Sequence, residues 1–140
     1  MSYEFCRVSI KGIDVDRAAE VLAELGIDLE PPSLPRIRYG DHCGIPLEVR
    51  ENTDAKGPVA DVWRAEQSVH TYESADDDFL LWPVNVEFGR DDEEPEPAHM
   101  VELASLIVRG FWDRGHPAVA ACDFEDELPW QGGSGRIRRR

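Results

Sequence analysis

Two periods of apolar side chains alternate along this chain, and their order predicts its architecture. Between Pro95 and Glu127 the helical period is clearest. Met100, Leu103, Ala104, Ile107, Val108 and Phe111 fall at i, i+3, i+4, i+7, i+8 and i+11, one face of an amphipathic helix. Pro97 suits the first helical position, Gly115 ends the helix, and Pro117 keeps it from restarting. Ala118 to Cys122 is then apolar without a break, which predicts an interior strand. At the other end of the chain, Tyr3 to Ile10 predicts a strand with Cys6, Val8 and Ile10 on one face and Tyr3, Phe5 and Arg7 on the other. Asp14 is an N-cap, Ala18, Val21, Leu22 and Leu25 form a helical stripe, and Gly26 closes that helix.

The middle is more broken. Pro31-Pro32-Ser33-Leu34-Pro35 excludes helix and central strand and reads as an extended surface connection. Arg36–Tyr39 reads as a short edge strand, Asp41–Gly44 as a turn, and Leu47–Arg50 as a half-buried strand. Val59–Glu66 fits a short helix as well as a strand. Phe79 to Phe88 has the strongest alternation in the chain, with Leu80, Trp82, Val84, Val86 and Phe88 on one face, although Pro83 demands an edge or a bulge. The order of strands and two amphipathic helices predicts an α+β fold of the ferredoxin-like, two-layer kind. Its sheet would be mainly antiparallel, with 4–5 strands and both helices on one face. Residues 1–130 are expected to form one domain, and 131–140, Gly-rich and then basic, a disordered basic tail.

Charge adds a direction. The chain carries 15 basic and 29 acidic side chains, a net charge of −14. Residues 51–100 hold 3 basic and 14 acidic ones, so the acidity is concentrated in the middle third. Such a field repels nucleic acid and anionic membranes and steers basic proteins inward. No apolar run approaches the roughly 20 residues a bilayer crossing needs, and the N-terminal residues do not read as a signal peptide, which predicts a cytoplasmic protein. In size and charge the chain is similar to the small acidic proteins that accompany bacterial toxins as immunity factors, a likeness that assigns no residue a role.

The candidate chemistry is sparse. Asp123, Glu125 and Glu127 follow the last predicted strand. If the strand continued through them they would share one face at steps of about 7 Å, weak candidates for a Mg²⁺-type site that Glu87 or one of Asp76, Asp77 and Asp78 could complete. Cys6, Cys43 and Cys122 lack the spacing of a disulfide framework or, with His42, of a zinc site, and no phosphate-loop or nucleophile-elbow motif is present. No cofactor is expected. Trp130, between Pro129 and Gly132-Gly133, is either a plug over the sheet end or an anchor for a partner. The leading reading is a non-enzymatic binding protein of the inhibitor or immunity type. It would engage a basic protein through Glu73, Asp76, Asp77, Asp78, Asp91, Asp92, Glu93 and Glu94, with Trp130 as anchor. The alternatives are a small metal-dependent enzyme using Asp123, Glu125 and Glu127, and a structural or regulatory subunit that dimerises by its sheet edges.

Overall fold

Alternating apolar residues in four strands and one apolar stripe on each of two helices can all be buried together only if both helices lie on the same side of a sheet. That is the arrangement found. The computed structural model describes residues 3–32, 36–68, 77–89 and 96–137. The elements are β1 (Phe5–Ile10), α1 (Val15–Glu24), β2 (Asp28–Leu29), β3 (Ile37–His42), β4 (Ile45–Glu51), α2 (Pro58–Trp63), β5 (Val84–Gly89), α3 (Pro97–Asp113) and β6 (Ala118–Ala121). They form a mixed α+β structure with one antiparallel sheet in the order β2-β3-β4-β5-β1-β6 and, among the described residues, three helices.

The core lies between α1, α3 and one face of this sheet. Cys6, Val8 and Ile10 of β1, Ile45, Leu47 and Val49 of β4, Val84, Val86 and Phe88 of β5, and Ala118 and Ala120 of β6 form that face. Val21 and Leu22 of α1 and the six stripe residues of α3, from Met100 to Phe111, pack on it. Helix α1 starts where Asp14 Oδ1 accepts from the Arg17 amide at 2.8 Å. It ends at Gly26, whose φ of 87° lets the Ile27 amide reach back to the Leu22 carbonyl at 3.1 Å, a Schellman close. At the far ends of the two helices, Arg114 Nε pairs with Glu24 at 3.0 Å.

Four departures from the sequence reading have identifiable physical causes. The sheet has six strands rather than 4–5, because β2 is a two-residue strand, too short to show any period. Its presence also moves β3 from the edge to an interior position. The β3–β4 hairpin turns at Cys43 and Gly44, with φ of 52° and 87°, the double positive φ of a type I′ turn. The long strand expected over Phe79–Phe88 is divided at Pro83. Its first part, Phe79–Leu81, is a single 3-10 turn capped by Asp78, and only Val84–Gly89 joins the sheet. The ambiguous segment at Val59 is helical, and α2 widens into a π-type turn over Arg64–Ser68.

The C-terminal segment is the fourth. Residues 131–137, expected as the start of a disordered tail, are folded along β6, while residues 138–140 lie outside the described set. The Ala120 amide donates to the Gly132 carbonyl at 2.7 Å, and Trp112 Nε1 donates to the Ala118 carbonyl at 2.8 Å. Gly133 passes so close that a Cβ there would stand 1.9 Å from the Ala118 carbonyl oxygen. The Arg136 guanidinium lies 4.3 Å from the Trp112 ring centre and 4.6 Å from that of Trp130, a double cation–π contact that holds the strap down.

Candidate functional site

The sheet face turned away from α1 and α3 carries the polar halves of the same strands. Arg7 and Ser9 of β1 stand opposite Glu87 and Asn85 of β5. Arg7 Nε pairs with Glu87 Oε1 at 2.7 Å. The Ser9 hydroxyl donates to Asn85 Oδ1 at 3.0 Å, and both residues are buried, at 3% and 7% exposure. Two buried polar residues in the middle of strands that otherwise read Val-x-Ile and Val-x-Val imply a cover on this face.

That cover is α2 with the Phe79–Leu81 turn, and three groups pin it in place. Asn52, buried at the end of β4, donates through Nδ2 to the carbonyls of Leu80 (2.9 Å) and Trp82 (2.8 Å). Asp78 accepts from Trp63 Nε1 at 2.8 Å and from the Leu80 amide at 3.2 Å. Arg64 reaches the Ala55 carbonyl at 2.9 Å. Between cover and sheet lies a cavity of about 460 Å³, within the range of small-molecule sites. Its floor includes Ser9 and Asn85, and its walls Val59, Ala60, Trp63 and Leu80. Its charged lining side chains are Arg7 and Lys56, both cationic in a strongly acidic chain. The cover also leaves apolar groups accessible, and of the four that follow only Val62 does not line the cavity. Val59 is 83% exposed, Val62 54%, Leu80 48% and Trp63 39%.

The residues singled out from sequence are scattered by this fold. Glu73, Asp76, Asp91, Asp92, Glu93 and Glu94 lie outside the described residues. Asp77 pairs with Lys11 Nζ at 3.1 Å. Asp78 is only 3% exposed and is spent on Trp63 and Leu80, so it is a support of the cover and is not presented to a partner. Trp130 meets Trp112 edge-on, with ring centres 6.4 Å apart, yet keeps 39% of its surface exposed. The strand expected to carry Asp123, Glu125 and Glu127 on one face stops at Ala121, and Glu125–Glu127 form a 3-10 turn that parts them. Glu125 accepts from the Cys122 amide at 3.4 Å, and Glu127 from the Tyr3 hydroxyl at 2.6 Å, which pushes the Tyr3 phenol up. Among the described residues no three His, Cys, Asp or Glu side chains are grouped to hold a metal ion.

Two further groupings come from register alone. Cys6 follows Arg7↔Ala121 in the β1–β6 ladder and so neighbours Cys122. A thiol–thiol hydrogen bond and burial push the buried Cys6 up. The same bond brings the half-buried Cys122 down, making it the better thiolate of the two. On the open face Glu48 sits directly opposite Glu87, with Arg50 Nη1 3.3 Å from Glu48 and 3.5 Å from Glu87. Burial and a hydrogen bond to Glu87 hold the Glu48 carboxyl above its ordinary value, against the pull of Arg50. A carboxyl raised on folding binds more protons in the native than in the unfolded chain. Its contribution to stability is therefore present at low pH and lost as pH rises from the unfolded to the folded value. Glu48→Gln, which keeps the hydrogen-bonding neutral form, is expected to raise the melting midpoint near neutrality. The gain should vanish below about pH 4, where the wild-type carboxyl is itself protonated. Melting curves of both proteins across that range check this, and a gain independent of pH would refute it.

Sequence reasoning missed Arg7, Ser9, Asn52, Lys56 and Asn85 as site residues. Alternation assigns Arg7, Ser9 and Asn85 to the polar face of their strands, but nothing local to them announces the cover. Compared with protein-family models, with curated proteins and with solved structures, the chain matches none.

Proposed function

We propose that this chain is a non-enzymatic binding protein, of the inhibitor or immunity type, that engages a basic protein partner with the outer surface of α2 and the acidic chain around it. The observation that carries the reading is the exposed strip of Val59, Val62, Trp63 and Leu80 inside the part of the sequence with 3 basic and 14 acidic side chains. Apolar side chains grouped at a surface mark places that a partner covers, and an aromatic among them is a common binding hot spot. The surrounding charge would steer a basic surface onto the strip. We also read the framework as an elaborated ferredoxin-like sandwich. In support, β1-α1-β4-β5-α3-β6 follows the split β-α-β order with strands arranged β6-β1-β5-β4, and β2 and β3 are added beyond β4. Edge-to-edge dimerisation draws less support. One edge is the four-residue β6, bonded at Ala120 to Gly132, and the other is the two-residue β2 next to Pro31-Pro32.

Capture from the native lysate at low and high salt, with the wild type and with the double variant Val59→Ser, Val62→Ser, tests the proposal. The expected result is one basic protein retained at low salt, released by high salt, and bound about tenfold or more weakly by the double variant. An empty capture, a salt-insensitive partner, or equal binding by the variant would overturn it.

A further inference from the structure

The cavity beneath α2 goes beyond this reading, because its lining suits the opposite charge. We infer that it binds a small organic anion with an apolar body, an aryl or alkyl carboxylate, laid between Trp63 and the Ser9–Asn85 floor.

Burying Ser9 and Asn85 is costly unless their polar atoms are used, and the hydrogen bond between them uses only the hydroxyl proton and Asn85 Oδ1. Asn85 Nδ2 has no partner among the described residues and is not fully enclosed, and the residue lines this space. The floor therefore offers donors where an apolar pair would have been cheaper.

Arg7 gives Nε to Glu87 and leaves its two terminal nitrogens unpaired among the described residues. Lys56 reaches Glu51 at 2.6 Å from an exposed position at the rim. Each cation is paired with a carboxylate, but neither Glu87 nor Glu51 lines the cavity, so the charged groups that reach its surface are both cationic. A guanidinium and an ammonium beside amide donors recognise a carboxylate. The remaining walls, Val59, Ala60, Trp63 and Leu80, are apolar and accept a hydrocarbon or aromatic body rather than a bare inorganic ion. A basic side chain from a protein partner would meet two like charges there.

The test uses the full chain, with 2-naphthylacetate as probe and its uncharged amide, 2-naphthylacetamide, as control. Binding is followed through the NMR signals of the Trp63 indole N–H and the Asn85 side-chain amide. The acid is expected to shift both saturably and to bind about tenfold more tightly than the amide at low salt. Lys56→Gln, on an exposed side chain, should weaken the acid about threefold and leave the amide unchanged. Asn85→Leu should abolish both shifts at Trp63. Should that variant fail to fold, the acid–amide comparison and Lys56→Gln decide alone. Absence of shifts at millimolar probe, equal affinity for acid and amide, or shifts confined to other residues would overturn the inference. So would insensitivity of the acid to Lys56→Gln. None of these outcomes needs a protein partner and the capture needs no small anion, so either reading can fail alone even though Val59, Trp63 and Leu80 belong to both.

Discussion

Replacing Phe111 with alanine is expected to destabilise the fold by about 3–5 kcal/mol, the range for truncating a fully buried aromatic. Phe111 is fully buried at the end of the α3 stripe, where the helix meets the sheet, and its ring lies 6.5 Å from that of His116, edge-on. The backbone around it is also committed, since its carbonyl accepts from the amides of Arg114 and His116 and so forms part of the helix close. The cavity left behind cannot collapse easily, because the sheet behind it is held by strands on both sides and α1 is tied to α3 at Glu24–Arg114. A loss of this size is a large share of the roughly 5–15 kcal/mol that domains of this kind possess. Urea denaturation at neutral pH measures it. Phe111→Leu, which keeps most of the volume, should cost less than half as much. A loss below about 1 kcal/mol for the alanine variant would mean that α3 does not seat in the core as described.

The second large effect is expected at Asp78. Asp78→Ala removes the acceptor for the Trp63 indole and the Leu80 amide at once. Bonds to a buried carboxylate are among the stronger ones, and the indole N–H is left without its partner, so a cost of about 3 kcal/mol is expected. The loss has a local signature. Trp63 is one of four tryptophans, and release of its indole should shift the emission of the native state toward that of solvent-exposed Trp. A double-mutant cycle with Trp63→Phe isolates the pair and should return about 1–2 kcal/mol of coupling. Its neighbour Asp77, in a partly buried pair with Lys11 that holds no other group of the cover, should lose clearly less on replacement by alanine. If Asp78→Ala were as mild as Asp77→Ala, the carboxylate would not be holding the cover, and the assignment of Asp78 to partner binding would regain its footing.

The contrast between these two neighbours shows where reading the chain stops. Asp76, Asp77 and Asp78 are one run of like residues, and pattern alone assigns them one role. The turn at Phe79–Leu81 points Asp78 inward to cap it, while Asp77 stays near the surface with Lys11. The same holds at the end of β6. Asp123, Glu125 and Glu127 share a parity that becomes a shared face only if the strand continues, and the turn at Glu125 ends that continuity. Phe79–Phe88 failed in the same way. Alternation ran through Pro83, but a proline cannot supply the ladder donor, and the chain took a capped turn instead.

What the amino-acid order by itself determined is the framework: β1, α1, β4, the Val84–Phe88 part of β5, α3 and β6, their inward faces, and the caps at Asp14, Gly26, Pro97 and Gly115. These rest on interactions within a few residues and on the burial of one face, both of which leave a period in the chain. Only the tertiary structure decided the rest. It made Ser9 and Asn85 a covered floor instead of a wetted face, gathered Arg7 and Lys56 beside them, joined Arg136 to Trp112 and Trp130, and added β2 to the sheet. Each of these depends on contacts between separate elements, and such contacts impose no period on the sequence that makes them.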